Sequence, residues 1–193
     1  MSATQLEPII ALILAGGRGK RAGGIDKGLQ NYEGKPLIEH TLERLAAQAS
    51  TVFISANRNI TTYQQYGHEV ISDSDPSFNG PLAGIVAASE LLESIGAAGQ
   101  AIMVCPCDTP TLPLDIVAKL QLQMSDRIAA CIAHDGQRRH NLHCLINRRY
   151  LPSLVSFYTE GGRAIKQWYA VQPCIEVDFS DQANAFQNLN RAI

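Results

Sequence analysis

Between Ala15 and Lys35 the sequence places glycine at 16, 17, 19, 23, 24, 28 and 34, and cations at Arg18, Lys20, Arg21 and Lys27. Glycine lets backbone N–H groups approach a ligand closely and turn through positive φ. The four cations add a field suited to a highly charged anion, so residues 16–28 describe a polyphosphate cradle. Three further polar residues, Asn57, Asp73 and Asp108, each lie at or just beyond the end of a short apolar run. A carboxylate beside such a cradle suits Mg²⁺, which is usually held by one or two carboxylates together with phosphate oxygens.

Two better-known cradles do not fit. Gly17-x-Gly19-x-x-Ala22 formally matches the dinucleotide fingerprint, but that fingerprint opens a helix, which Gly23-Gly24 would break. It also needs an acid about 20 residues on to hold a ribose, whereas the next strand runs into Asn57-Arg58. The Walker pattern is absent, because Lys27 stands between Asp26 and Gly28.

Each candidate also has a plainer interpretation. Asp108, between Cys107 and Thr109-Pro110, either caps a turn or helix or ligates a hard cation. Asp73 either makes an Asx-turn ahead of Pro76 or shares the metal or a sugar contact. Lys27 is a solvated lysine or, following a Gly-rich loop, a phosphate contact. Cys105-x-Cys107 has no second pair at zinc spacing, so buried thiols are expected there. His140-x-x-His143 flanks a hairpin loop with no carboxylate or cysteine partner expected nearby. His40 and His68 belong to no constellation, and no nucleophile elbow of the G-x-S-x-G type occurs.

The elements that position these residues follow from the apolar pattern. Ile9–Leu14 is a short, Ile-rich run that predicts a first strand buried on both faces. Pro36 suits a first helical position, and Ile38, Leu42, Leu45 and Ala49 mark one helical face. Strands are expected at 51–57, 69–73 and 101–105, with a short helix near 61–66 and a long one from Pro81 to Ile95. A helix over 114–124 precedes two strands, 128–133 and 142–147, forming a local antiparallel pair. Helices near 148–157 and 163–170 and a strand at 174–178 complete the chain. Alternating strands and helices imply an α/β fold with a mostly parallel, Rossmann-like sheet flanked by helices. Ligands of such sheets sit beyond the carboxyl ends of the strands, which puts the Gly-rich loop, Asn57, Asp73 and Asp108 on one rim.

The 193 residues suit one domain, with 46% hydrophobic and 18% charged residues and a net charge of −2. That balance argues against a general nucleic-acid footprint. No apolar run approaches membrane-spanning length and no signal-type segment is seen. Five cysteines without disulfide or zinc spacing point to a reducing cytoplasm.

Leu14-Ala-Gly-Gly-Arg18, Arg21-Ala-Gly-Gly-Ile-Asp-Lys-Gly28, Gly34-Lys-Pro-Leu37, Gly80-Pro-Leu-Ala-Gly84 and Cys105-Pro-Cys-Asp-Thr-Pro110 together resemble the bacterial molybdenum cofactor guanylyltransferases. The likeness continues through Val177–Asp181 to Asn188-x-Asn190. It implies a single nucleotidyltransferase domain over 1–193, of glycosyltransferase-A-like fold. GTP would be bound mainly by residues 9–110, and the acceptor mainly by 111–193. It implies transfer of GMP from GTP to the phosphate of molybdopterin with Mg²⁺, releasing pyrophosphate, and transient contact with proteins that deliver or receive the cofactor. By this resemblance Leu14, Ala15, Gly16, Gly17, Arg18, Ser55, Asn57, Asp73 and Gly80 contact GTP, and Lys27 and Arg21 serve the phosphates. Asp108 holds the metal, and Asn188 and Asn190 fall on the pterin side. Ala22, Ser55 and Asn141 depart from the residues common there, which are Met, Asn and Pro. Alternatives are a cytidylyltransferase or sugar-1-phosphate nucleotidyltransferase of the same superfamily, or a GTP-binding regulator without turnover.

Overall fold

A computed structural model describes residues 8–15, 26–73, 80–96 and 99–187. The expectations for Gly16, Gly17, Arg18, Arg21, Asn188 and Asn190 lie outside these residues. Strand β1 (Ile10–Leu14) is buried along its whole length, as its uninterrupted apolar run requires. Its odd and even side chains enter two different cores. The strand pairs in parallel with β4 (Thr51–Ser55) on one side and β6 (Ala101–Pro106) on the other. Beyond β4 lies β5 (Glu69–Ile71), also parallel.

On the other flank the order is β6, β8 (Arg139–Asn147), β7 (Ala130–His134) and β9 (Cys174–Asp178). Strand β8 is antiparallel to both β6 and β7, while β9 is parallel to β7. One reversed strand therefore sits within an otherwise parallel seven-stranded sheet. The expected antiparallel pair is its β7–β8 half, and the β6–β8 pairing extends it.

Helices cover both faces. Helix α1 (Leu37–Ala46), Tyr63 of α2 (Ile60–Gln64) and α4 (Ile116–Leu122) pack on one face, together with Phe179 and Phe186. On the other lie α3 (Pro81–Ser94), α5 (Leu151–Thr159) and α6 (Ile165–Tyr169). In α1, Ile38, Leu42 and Leu45 are buried, which bears out three positions of the apolar stripe, while Ala49 lies beyond the end of the helix.

Pro36 corrects an expectation. It is the N-cap of α1, one position before the first helical residue, and also ends a two-stranded hairpin, β2 (Asn31–Tyr32) and β3 (Lys35–Pro36), in which it pairs with Asn31. Glu33 and Gly34 turn this hairpin with φ of 48° and 89°, the positive pair that a tight two-residue turn demands. No helix of the described residues is long and apolar enough to cross a membrane.

The chain runs from β1 outward to β5, and α3 then carries it back across to β6. The direction of winding therefore reverses at β1, between β4 and β6. The crevice beyond the carboxyl ends of these strands is where such sheets take ligands.

Candidate functional site

Lys27 and Asp108 meet at that reversal. Asp108 follows β6, and Lys27 opens a single 3₁₀ turn, Lys27–Leu29, that Asp26 caps by accepting from the Gly28 N–H at 3.3 Å. The Lys27 ammonium is ion-paired with Asp108 Oδ2. The lysine side chain is 30% exposed and the aspartate 9%. Asp108 Oδ1 is buried and has no hydrogen-bond partner among the described residues. An orphaned buried carboxylate oxygen carries a desolvation cost, and at a ligand crevice it marks a place for a donor or cation.

Asn57 and Asp73, at the ends of β4 and β5, hold each other. Asn57 Nδ2 donates to Asp73 Oδ2 at 2.6 Å, and the Asp73 N–H donates back to Asn57 Oδ1 at 2.8 Å. The reciprocal pair fixes both side chains on the expected rim. Leu14 and Ala15 also reach it, but part of their backbone is engaged. The Ala15 N–H donates to Ser55 O at 2.9 Å, and Leu14 O accepts from the Cys107 N–H at 3.2 Å. Gly80 stands exposed ahead of α3 with φ of 82°.

The Ser55 side chain is buried, and a Cβ on Gly84 of α3 would collide with its Oγ. Ser55 therefore lies where β4 and α3 approach closely. Gly84, in the Gly-Pro-Leu-Ala-Gly segment, is the other half of that approach.

The histidines correct another expectation, since His140 does have a carboxylate partner. His140 Nε2 lies 2.7 Å from Asp135 Oδ2, and the ring stacks on Phe186 with centroids 4.6 Å apart. His143 Nε2 lies 3.0 Å from Thr109 Oγ1. Burial, reinforced by His140 and Arg138, pushes the His143 pKa down to about 3, so the ring is neutral near pH 7. Burial also lowers the pKa of His140, against the pull of Asp135. Pro106, Arg138, Arg139, Asn141, His143 and Phe186 line an open basin beside this cluster. The His143–Thr109 contact places the basin one residue from Asp108.

All five cysteines are free, and Cys105 and Cys107 are buried in the core, where desolvation pushes their pKa values up. Among the described residues no group of three or more His, Cys, Asp or Glu side chains could hold a metal ion. A metal at Asp108 would therefore depend on ligand oxygens, as Mg²⁺ commonly does.

Sequence reasoning missed Asp26, Asn59 and Tyr63. Asp26 is buried, and its carboxylate accepts from Tyr63 Oη at 2.6 Å and Asn59 Nδ2 at 3.0 Å. These partners stand 37 and 33 residues along the chain, so no local spacing announces them. The available signal was the Asp26-Lys27-Gly28 run itself.

Comparison with known proteins agrees with this architecture. The family model of the MobA-like NTP transferase domain matches residues 11–174. A molybdenum cofactor guanylyltransferase of Cupriavidus metallidurans is 43% identical over 190 residues, covering 95% of this chain and 91% of the relative. One of Pasteurella multocida is 40% identical, covering 95% of each. Among solved structures, the molybdopterin-guanine dinucleotide biosynthesis protein A of Archaeoglobus fulgidus superposes with a TM-score of 0.74 at 21% identity, covering 94% of this chain and 92% of that one. The fold likeness, the curated relatives and a family match spanning β1 to the start of β9 agree, and the chain belongs to the MobA-like NTP transferase domain family.

Proposed function

We propose that this chain transfers the GMP part of GTP to the terminal phosphate of molybdopterin, releasing pyrophosphate and forming the guanine dinucleotide cofactor. The observation that carries the proposal is the meeting of Lys27 and Asp108 at the point where the sheet reverses its winding. The guanylyltransferase name borne by relatives at 40–43% identity supports the nucleotide and the acceptor.

The attacking group in this reaction is already a phosphate oxygen, so the protein needs no nucleophile. Its work is to align that oxygen with the α-phosphorus and neutralise charge on the leaving pyrophosphate. Lys27, with Arg18 and Arg21 of the glycine-rich segment, supplies positive charge, and backbone groups of Leu14 to Gly17 bind the nucleotide. Asn57 and Asp73, already locked together, offer a rigid polar edge to its sugar or base, beside Gly80.

Asp108 suits Mg²⁺, because it presents a hard oxygen donor and its Oδ1 is buried and orphaned among the described residues. Bound there, Mg²⁺ would supply Lewis-acid neutralisation of phosphate charge. Residues 9–110 form the GTP side and 111–193 the acceptor side. The acceptor side comprises the basin beside His143, with Asn188 and Asn190 following Phe186 in sequence. A cytoplasmic enzyme accords with five free thiols, and transient contact with proteins delivering or receiving the cofactor belongs to the same proposal.

The test incubates the protein with molybdopterin, Mg²⁺ and each nucleoside triphosphate in turn, and identifies the product by mass. The guanine dinucleotide is expected with GTP. A cytidine product, or GTP binding without pyrophosphate release, overturns the assignment. Calorimetry should rank GTP well ahead of ATP and CTP, because a site built to hydrogen-bond one base leaves polar groups unpaired with another.

A further inference from the structure

Asp26 is more than the cap of a short turn. A 3₁₀ turn of three residues needs one acceptor for one N–H, and Asp26 Oδ1 meets that need for the Gly28 N–H. Yet both carboxylate oxygens are engaged from a distant element: Oδ1 accepts from Tyr63 and Oδ2 from Asn59.

Asn59 holds φ 51° and ψ 32°, a left-handed conformation, at the N-terminus of α2, and its side chain makes no capping bond to that helix. Left-handed backbone is unfavourable for residues other than glycine, asparagine being among the most tolerant. Here it accompanies a side chain that crosses to Asp26 instead of capping its own helix.

Tyr63 is completely buried. Burial and the Asp26 carboxylate raise the pKa of its phenol, so the hydroxyl stays protonated as a donor. Gly28 lies directly against it, since a Cβ there would stand 2.5 Å from Tyr63 Oη and 3.3 Å from Cys107 Sγ. Asp26 is thus bonded to Tyr63 of α2 and to Asn59, the residue that precedes that helix, while Gly28 packs closely against Tyr63 and Cys107, the residue before Asp108.

We propose that Asp26, gripped by Tyr63 and Asn59, is a positioning residue that fixes the backbone of Lys27 so that its ammonium is presented to the reacting phosphates opposite Asp108. The proposal rests on the guanylyl transfer proposed above, where Lys27 is the group whose placement matters. A long flexible side chain loses less entropy on meeting a developing charge when its backbone is already fixed. Asp26, Asn59 and Tyr63 themselves touch no substrate in this scheme.

Two substitutions test it, because each removes one bond to Asp26 and little else. Tyr63→Phe deletes a buried hydroxyl, and Asn59→Gly keeps the left-handed backbone without strain. Each is measured in the parent and in a Lys27→Ala background for kcat, KM for GTP and the melting temperature, and in the parent background alone for the rate of acylation of Lys27, read by mass spectrometry.

Each variant should lower kcat about fivefold, the worth of one net hydrogen bond, with KM for GTP changed less than kcat. Acylation of Lys27 should accelerate by a similar factor in the nucleotide-free protein. In the Lys27→Ala background the same substitutions should cost almost nothing further, because coupled residues are non-additive. Equal losses in both backgrounds, or unchanged acylation and kcat in a folded variant, overturn the proposal. If Tyr63→Phe does not fold, Asn59→Gly decides. If the parent transfers no GMP, the proposed function fails and acylation alone decides: acceleration upholds the anchor, and an unchanged rate removes it.

Discussion

Lys27 faces the Asp108 carboxylate and, in the proposed reaction, a triphosphate. Its ammonium is a compact point charge, suited to a phosphate and replaceable by other polar groups on a solvated face. Lys27→Ala should lower kcat by about 10²–10³, the usual worth of one preorganised electrostatic contact, while GTP affinity weakens less. Pyrophosphate release and calorimetry measure the two, with thermal melting as the folding control. A folded variant at the parent rate removes Lys27 from the site. Asp108→Asn keeps the shape but loses a charge, so turnover should collapse at limiting Mg²⁺ while folding is retained. His143 makes a prediction of a different kind. Its pKa, about 3 in the folded protein, is near 6.5 when unfolded. Between those values the unfolded chain binds the extra proton, so the contribution is complete above about pH 6.5 and is lost towards pH 3, at about 1.4 kcal/mol per pH unit. His143→Gln can still meet Thr109 and should flatten the fall of the urea midpoint between about pH 6 and 4. An undiminished slope would exclude this histidine as its source.

Elements were legible where one local pattern decides them, and illegible where two distant segments must meet. Strand β1 announced itself because a short, unbroken apolar run is stable only when buried on both faces, and it lies at the sheet's point of reversal. The rim positions of Asn57, Asp73 and Asp108 followed from strand ends alone. The packing of Ser55 did not: the resemblance implied a ligand contact there, and nothing local announces that its buried hydroxyl lies against Gly84 of α3, where a Cβ would collide with it. The glycine-rich GPLAG segment thus contains one glycine placed for packing. Gly84→Ala tests the assignment against helix propensity, which by itself favours alanine by about 1 kcal/mol. The added methyl should instead destabilise the protein by about 1–3 kcal/mol, as overpacking does, and Ser55→Ala in the same chain should recover part of that loss. Chemical denaturation measures both. A Gly84→Ala protein as stable as the parent would show that α3 can shift outward without cost.

At the scale of the whole molecule, one polar link between the nucleotide side and the basin beside β8 runs through the histidines. His143 touches Thr109, next to Asp108, while His140 is tied to Asp135 and stacked on Phe186. None of this was legible from His140-x-x-His143. Asp135 is five residues from His140 but across the β7–β8 turn, Thr109 belongs to another strand end, and Phe186 lies in the irregular C-terminal stretch. Phe186 packs edge-on to both His143 and Phe179, with centroids 5.2 and 5.5 Å apart. It is also among the last described residues before Asn188 and Asn190, which the proposed function puts beside the acceptor. If the two sides work as separate binding surfaces on one sheet, damage at Phe186 should reach the acceptor and spare the nucleotide. Phe186→Ala should destabilise the fold by about 3–5 kcal/mol through the cavity it leaves, so the comparison is made well below its melting temperature. There, KM for molybdopterin should rise severalfold while calorimetric GTP affinity stays at the parent value. Phe186→Leu fills most of the space without the stacked ring, and should recover stability more fully than acceptor affinity. Loss of GTP affinity in the folded Leu variant would show that the C-terminal stretch shapes the nucleotide side as well, and the division at residue 110 would have to be abandoned.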